Sequence, residues 1–114
     1  MIKALDKSIM GMNAMGTRLA VTANNIANCN TDEFKKDRVT LTEARNGGVL
    51  VQDISKVNTP GTTVEVYEET RELSNVDLGE EFVNLMTTQA GYTANAKVIK
   101  TQEELTGTIL DIKR

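Results

Sequence analysis

The sequence predicts a mainly α-helical protein with a small β insert: two long helices at the chain's two ends pair as a coiled-coil-like hairpin, with a short β-hairpin or meander between them. Three observations predict it. Apolar residues recur in alternating steps of three and four through residues 2–26, and the same rhythm returns through residues 78–110. Between these seams the pattern switches to an alternation of two, punctuated by Gly and Pro. The implied division is 1–31 for the N-terminal helix and an Asn-rich turn, 32–73 for the β-rich insert and 74–114 for the C-terminal helix. The first part pairs with the third as one structural unit.

The first seam is Ile2, Leu5, Ile9, Met12, Gly16, Leu19, Ala23 and Ile26, a helix of roughly 40 Å. Gly11, Ala14, Gly16, Ala20 and Ala23 permit close backbone approach while adding little intrinsic helix stability, so this helix depends on packing for its order. It ends in Asn24, Asn25, Ile26, Ala27, Asn28, Cys29, Asn30 and Thr31. Asparagine tolerates left-handed backbone angles and bonds nearby peptides, which predicts a helix terminus and turn. Four asparagines in seven positions exceed what a turn needs and predict side-chain bonds that also hold a neighbouring segment. Cys29 reads as a small, partly buried residue of that turn.

In the insert, Val39, Thr40, Leu41 and Thr42 alternate, Asn46-Gly47-Gly48 signals a hairpin turn, and Val49, Leu50 and Val51 form the return strand. Thr59-Pro60-Gly61-Thr62 suits a type II turn, and Thr63 to Tyr67 alternates as a third strand. Glu65, Glu68, Glu69 and Glu72 read as a solvated acidic face.

Ser74 with Asp77 resembles a capping box at the start of the last helix, Glu80 and Glu81 lie near its positive end, and Lys113 and Arg114 suit the other end. Its seam is Leu78, Phe82, Leu85, Gln89, Tyr92, Ala96, Ile99, Glu103, Thr106 and Leu110. A second row, Val98, Gln102, Leu105, Ile109 and Ile112, widens the apolar face in the last turns, more than one partner helix covers. Unbroken over residues 75–113, this helix spans roughly 58 Å, against a radius of gyration near 13 Å for a compact chain of this length. It must then project and find a partner. The alternative is a break at Gly91, giving two shorter helices in an ordinary small domain.

Composition bounds the function. The chain has 114 residues, net charge −3, and two Phe, two Tyr and no Trp, a thin core for a monomer. It has no histidine and one cysteine, which excludes the usual structural zinc sites and imidazole-based catalysis; no metal or cofactor is expected. The longest basic run is Lys35-Lys36, too little for nucleic-acid binding. No uninterrupted apolar region precedes a small-residue cleavage site, and no stretch approaches eighteen apolar residues. Neither a cleaved signal peptide nor a membrane span is predicted. Taken alone, these rules would place the chain in the cytoplasm.

The segment Gly11-Met12, continuing through Thr17-Arg18-Leu19-Ala20-Val21-Thr22-Ala23-Asn24-Asn25-Ile26-Ala27-Asn28-Cys29-Asn30-Thr31, resembles the N-terminal signature of bacterial flagellar rod and hook proteins. Ser74-Asn75-Val76-Asp77-Leu78 and Tyr92-Thr93-Ala94-Asn95-Ala96-Lys97-Val98-Ile99-Lys100-Thr101 resemble the companion C-terminal signature. Two departures stand out. Asp32-Glu33-Phe34 replaces the family's Pro-Gly-aromatic, keeping only the aromatic, and Ala90-Gly91 replaces Arg-Ala. The short insert is similar to that of the small proximal rod proteins.

The resemblance implies a structural subunit, without enzymatic activity, of the basal-body rod. Such a subunit self-assembles through its terminal helices into an axial, periplasm-spanning tube that transmits torque. Implied partners are further copies, other rod proteins and the flagellar type III export apparatus, which would export the chain without a cleaved signal. Residues expected in subunit packing are Leu5, Ile9, Met12, Leu19, Asn24, Asn25, Ile26 and Asn28 from the first helix and its turn. From the second they are Leu78, Phe82, Leu85, Tyr92, Asn95, Ile99, Leu105, Ile109 and Ile112. Apolar side chains buried on assembly contribute roughly 1.5 to 3 kcal/mol each, which would order the helices as they assemble. Two other classes stay open: a cytoplasmic coiled-coil adaptor or export chaperone, which should form a closed dimer, and a small α+β enzyme or binding domain, which should be a compact monomer with a pocket.

Overall fold

A computed structural model describes residues 2–112. In chain order the elements are α1 (Ile2–Ala27), β1 (Asp37–Glu43), β2 (Val49–Lys56), β3 (Thr63–Val66), β4 (Glu69–Glu72) and α2 (Leu78–Ile112). The expected contributions of the Ile2 side chain, Lys113 and Arg114 lie outside what the structure describes.

The two helices run antiparallel. Asn25 lies beside Glu81, Met15 meets Gly91 and Asn95 meets Gly11, so each step along α1 is matched by a step back along α2. Gly91 does not break α2, which is continuous for 35 residues, about 52 Å. It is instead a hole: a Cβ there would sit 3.2 Å from the Met15 sulfur. Gly11 is the reciprocal hole, where a Cβ would come within 2.8 Å of the Asn95 amide nitrogen. Asn95 is itself tied to the Gly91 carbonyl at 3.1 Å.

The faces in contact differ from the expected seams. On α1 the buried residues include Ser8, Gly11, Thr22 and Asn25, and on α2 Glu81 and Thr88, with Gly91 and Asn95 half-buried. Each row lies one residue N-terminal to its predicted seam, a rotation of about 100°. The reason is the size and polarity of these side chains. Glycine, alanine and serine let the backbones approach closely, and Asn25 and Glu81 bond each other only if both face inward. Ala14 is the one buried hydrophobic residue among those described.

The β1–β2 hairpin packs along α1 on Val39, Leu41, Val49 and Val51. Its loop follows the expected turn signal: the Gly47 N–H donates to the Ala44 carbonyl and the Ala44 N–H to the Gly48 carbonyl, each at 3.0 Å. Gly47 and Gly48 both take positive φ, 84° and 89°, which explains two glycines in succession. A bulge between Thr40 and Leu41 leaves Gln52 unpaired.

The rest of the insert is a second hairpin, not a third strand of the first sheet: β3 pairs only with β4, and it packs on neither helix. Tyr67 and Glu68 make its two-residue turn at φ 52° and 69°, a type I′ geometry without glycine. The expected type II turn at Pro60-Gly61 is not formed, since Gly61 has no positive φ. Gly61 is required for proximity instead, because a Cβ there would lie 1.9 Å from the Leu73 carbonyl oxygen.

The capping expectation also shifts. Asp77 is the N-cap of α2, its Oδ1 accepting from the Gly79 and Glu80 N–H groups at 3.0 and 3.3 Å. Ser74 accepts from the Val76 N–H at 3.1 Å in a turn ahead of the helix, which starts at Leu78 rather than residue 75.

Candidate functional site

Two asparagines join the helices to the insert. Asn25, 2% exposed, accepts the Asp37 N–H through Oδ1 and donates to the Asp37 carbonyl through Nδ2, both at 3.0 Å. Asn75 accepts the neighbouring Lys36 N–H at 2.7 Å and donates to the Val57 and Thr59 carbonyls at 2.7 and 2.9 Å. Consecutive amides at the entrance of β1 are thus held from the end of α1 and from the approach to α2. An amide is suited to this, since it offers donor and acceptor about 2 Å apart, as a backbone peptide does. Asn25 also donates to Glu81 at 3.4 Å, which links the clamp to the helix pair.

The other asparagines act locally. Asn28 donates to the Asn24 carbonyl at 2.9 Å and accepts from Thr31 at 3.0 Å, closing the turn after α1. Only Asn25 of the four reaches another element. Glu33 in that turn has φ 61°, the left-handed conformation that glycine takes most readily, at the position where the resemblance expects a glycine. Phe34, the aromatic that is kept, accepts the Asn75 N–H through its carbonyl at 3.2 Å, and Lys56 lies 5.8 Å above its ring.

The second hairpin hangs from the same junction. Glu33 donates its N–H to the Glu72 carbonyl at 2.9 Å, Arg71 Nε donates to Asp32 at 2.8 Å, and Glu72 pairs with Lys35 and accepts the Gly61 N–H at 3.0 Å. The Lys35 ammonium, and next the Gly61 N–H, hold the Glu72 carboxyl below its usual range. Glu72 therefore anchors; Glu65, Glu68 and Glu69 are exposed, as the solvated-face reading expects.

The apolar rows predicted from the sequence lie beside the helix contact. Leu5, Met12, Ile26, Leu85 and Ile99 are half-buried, while Ile9, Leu19, Leu78, Phe82 and Tyr92 are exposed, as is Asn24. Ile9, Met12, Gly16, Ala20 and Tyr92 line an open groove on this flank. Past Gln102 every described residue of α2 is exposed, with Leu105, Ile109 and Ile112 on the surface and Ile112 78% accessible. The accessible surface, 8194 Å², compares with roughly 6,200 Å² for a compact monomer of this mass.

Sequence reasoning missed Ser8, Glu81 and Thr88 as contact residues and the anchoring role of Asn75; it named Gly11 for close backbone approach, but not the Asn95 it meets. Asn75 was already visible within the C-terminal signature. The others follow a heptad of their own, but one written in small and polar residues that an apolar count does not register. No cluster of three or more His, Cys, Asp or Glu among the described residues could hold a metal ion.

Paired terminal helices, a clamped junction and uncovered apolar rows define an elongated helical protein with a small β insert. Residues 5–35 match the family model described as flagella basal body rod protein, and residues 70–112 match that described as flagellar basal body rod FlgEFG protein C-terminal. Both ends of the chain are thus similar to flagellar rod and hook proteins. It is 35% identical over 75 residues to the flagellar hook protein FlgE of Treponema pallidum, covering 66% of this chain and 16% of the relative. The flagellar hook protein FlgE of Caulobacter vibrioides is 47% identical over 45 residues, 40% of this chain and 8% of its own length. The flagellar basal-body rod protein FlgG of Bacillus subtilis is 40% identical over 43 residues, 38% of this chain and 16% of its own. The chain thus spans less than a fifth of the length of each of these relatives.

Proposed function

We propose that this chain is a structural subunit of the flagellar basal-body rod that self-assembles through its two terminal helices into an axial, torque-transmitting tube. The observation that carries this reading is the uncovered apolar flank together with the exposed end of α2, on a molecule measuring 80 × 25 × 14 Å. A chain that spent its apolar residues on its own core would bury the rows at Ile9, Phe82 and Leu105. Here small and polar residues make the internal contact, and the apolar ones are left for neighbours. The flank groove and the α2 end are different surfaces, so a contact between them is heterologous and propagates, giving a ring or an open tube. The family supports the tube.

The packing set expected from the sequence divides accordingly. Asn25, Asn28 and Asn95 act within the subunit; Ile9, Met12, Leu19, Phe82 and Tyr92, with Leu105, Ile109 and Ile112, contact neighbours. The short insert supports a proximal position along the rod. No helix among the described residues is long and apolar enough to cross a membrane. Export through the flagellar type III apparatus, without a cleaved signal, would bring the chain to a periplasm-spanning structure.

An epitope-tagged copy expressed in the source bacterium tests the reading. The tagged chain should co-purify with detergent-extracted basal bodies and be lost from that fraction in an export-deficient strain. A chain found only in the cytosol as a closed dimer would contradict it and favour the adaptor.

A further inference from the structure

The second hairpin carries a feature that its place at the junction does not explain. Tyr67 at its tip is 97% exposed, and it and Glu68 occupy left-handed backbone that disfavours both. Glu65, Glu68 and Glu69, all exposed, give the hairpin tip three negative charges, while the nearby Arg71 is already engaged by Asp32. An aromatic ring held out by a strained turn, on a hairpin that packs against neither helix, contributes nothing to this subunit's own core.

A surface of the opposite character lies towards the other end of the molecule. Lys3, Asp6, Lys7 and Met10 of α1, with Asn46 and Gly47 of the first hairpin loop, line an open pocket. Its charge is net positive and its lining includes a methionine. The hairpin base is tied to residue 33, just beyond the end of α1, whereas Lys3 is at the beginning of that helix, about 36 Å away along the axis. Strands of four residues reach roughly 13 Å. Tyr67 therefore cannot reach the pocket of its own chain.

We infer that the tyrosine-tipped acidic hairpin of one copy docks in the lysine-flanked pocket of the next, an inference that rests on the self-assembling reading above. The Tyr67 ring stacks on the Met10 thioether and the aliphatic stems of Lys3 and Lys7, with their ammonium groups over its face and the Glu65, Glu68 and Glu69 carboxylates opposite them. Counting Asp6 against the two lysines leaves the pocket a single net positive charge to meet three negative ones. The two surfaces sit towards opposite ends, so the contact adds an axial link to the lateral packing of the helices.

Sedimentation velocity on the full chain at low ionic strength tests the docking. The double variants Lys3→Glu/Lys7→Glu and Glu65→Lys/Glu69→Lys should each weaken self-association by ~10-fold or more, and an equimolar mixture of the two should recover it. Tyr67→Asn/Glu68→Gly installs a favourable type I′ turn, so it should preserve the hairpin and still lose association. Charge variants that associate as the wild type does, or a mixture without recovery, would overturn the docking. If Leu105→Ser/Ile109→Ser abolishes association while the hairpin variants do not, the docking alone is wrong and assembly through the helices stands. A wild-type chain that stays monomeric at every concentration overturns both.

Discussion

Asn25→Ala removes both partners of the Asp37 peptide and the donor facing Glu81. Leaving these groups buried and unpaired should cost about 2–3 kcal/mol, a large part of the stability of a chain this small, and urea unfolding measures it. Glu33→Gly should act in the other direction. It relieves a left-handed glutamate whose side chain makes no bond, for a gain of about 0.5–1 kcal/mol in the same assay. For Glu72 the sign follows from its lowered pKa: the unfolded chain binds the proton more readily, so its contribution is present above the unfolded value and is lost as pH falls through the folded one. The Gly61 amide proton, bonded to that carboxylate, should shift in NMR spectra with a midpoint below that of an ordinary glutamate. At this scale the sequence was partly legible. The density of asparagines announced a clamp, but which one turns inward depends on helix rotation, and the Tyr67-Glu68 turn carries none of the Gly or Asn that usually marks its type.

Among the elements, the glycines of the helix pair separate propensity from packing. Gly16 faces open space, with nothing within 4 Å of where a Cβ would stand, so Gly16→Ala should stabilise by about 0.5–1 kcal/mol through helix propensity alone. Gly91→Ala should fall near neutral, because the flexible Met15 side chain can give way. Gly11→Ala should destabilise by about 1 kcal/mol despite the better helix former, since Asn95 is held in place by the Gly91 carbonyl. Thermal melts of the three variants in one buffer check the order. Both helices, their lengths and the first hairpin were readable from period and turn chemistry. The face they share was not, because an apolar heptad marks a surface that must be covered without saying by what. Here the rows one residue away, small and polar, make the internal contact, while the rows carrying Ile9, Phe82 and Leu105 stay open.

For the molecule as a whole, the radius of gyration is 20.0 Å, against about 13 Å for a compact chain of this length. Helix length alone made that elongation legible, since a 35-residue helix cannot fold within so small a globule. The family resemblance of the two ends was legible as well, from signatures that the structure places in part at the junction, around Asn25 and Asn75, and in part along the helix contact, where Asn95 meets Gly11. What the sequence did not reveal is that the insert divides into two independent hairpins, because strand pairing depends on which edges meet and not on alternation. The central claim is that the open apolar surfaces build an open-ended assembly, and one measurement meets it directly: sedimentation velocity with far-ultraviolet circular dichroism across a wide concentration range, on the intact chain and on one truncated after Gln102. The account predicts mass and helicity rising together without a fixed end point in the intact chain, with growth lost on truncation. A monomer or closed dimer of constant helicity at every concentration would contradict it.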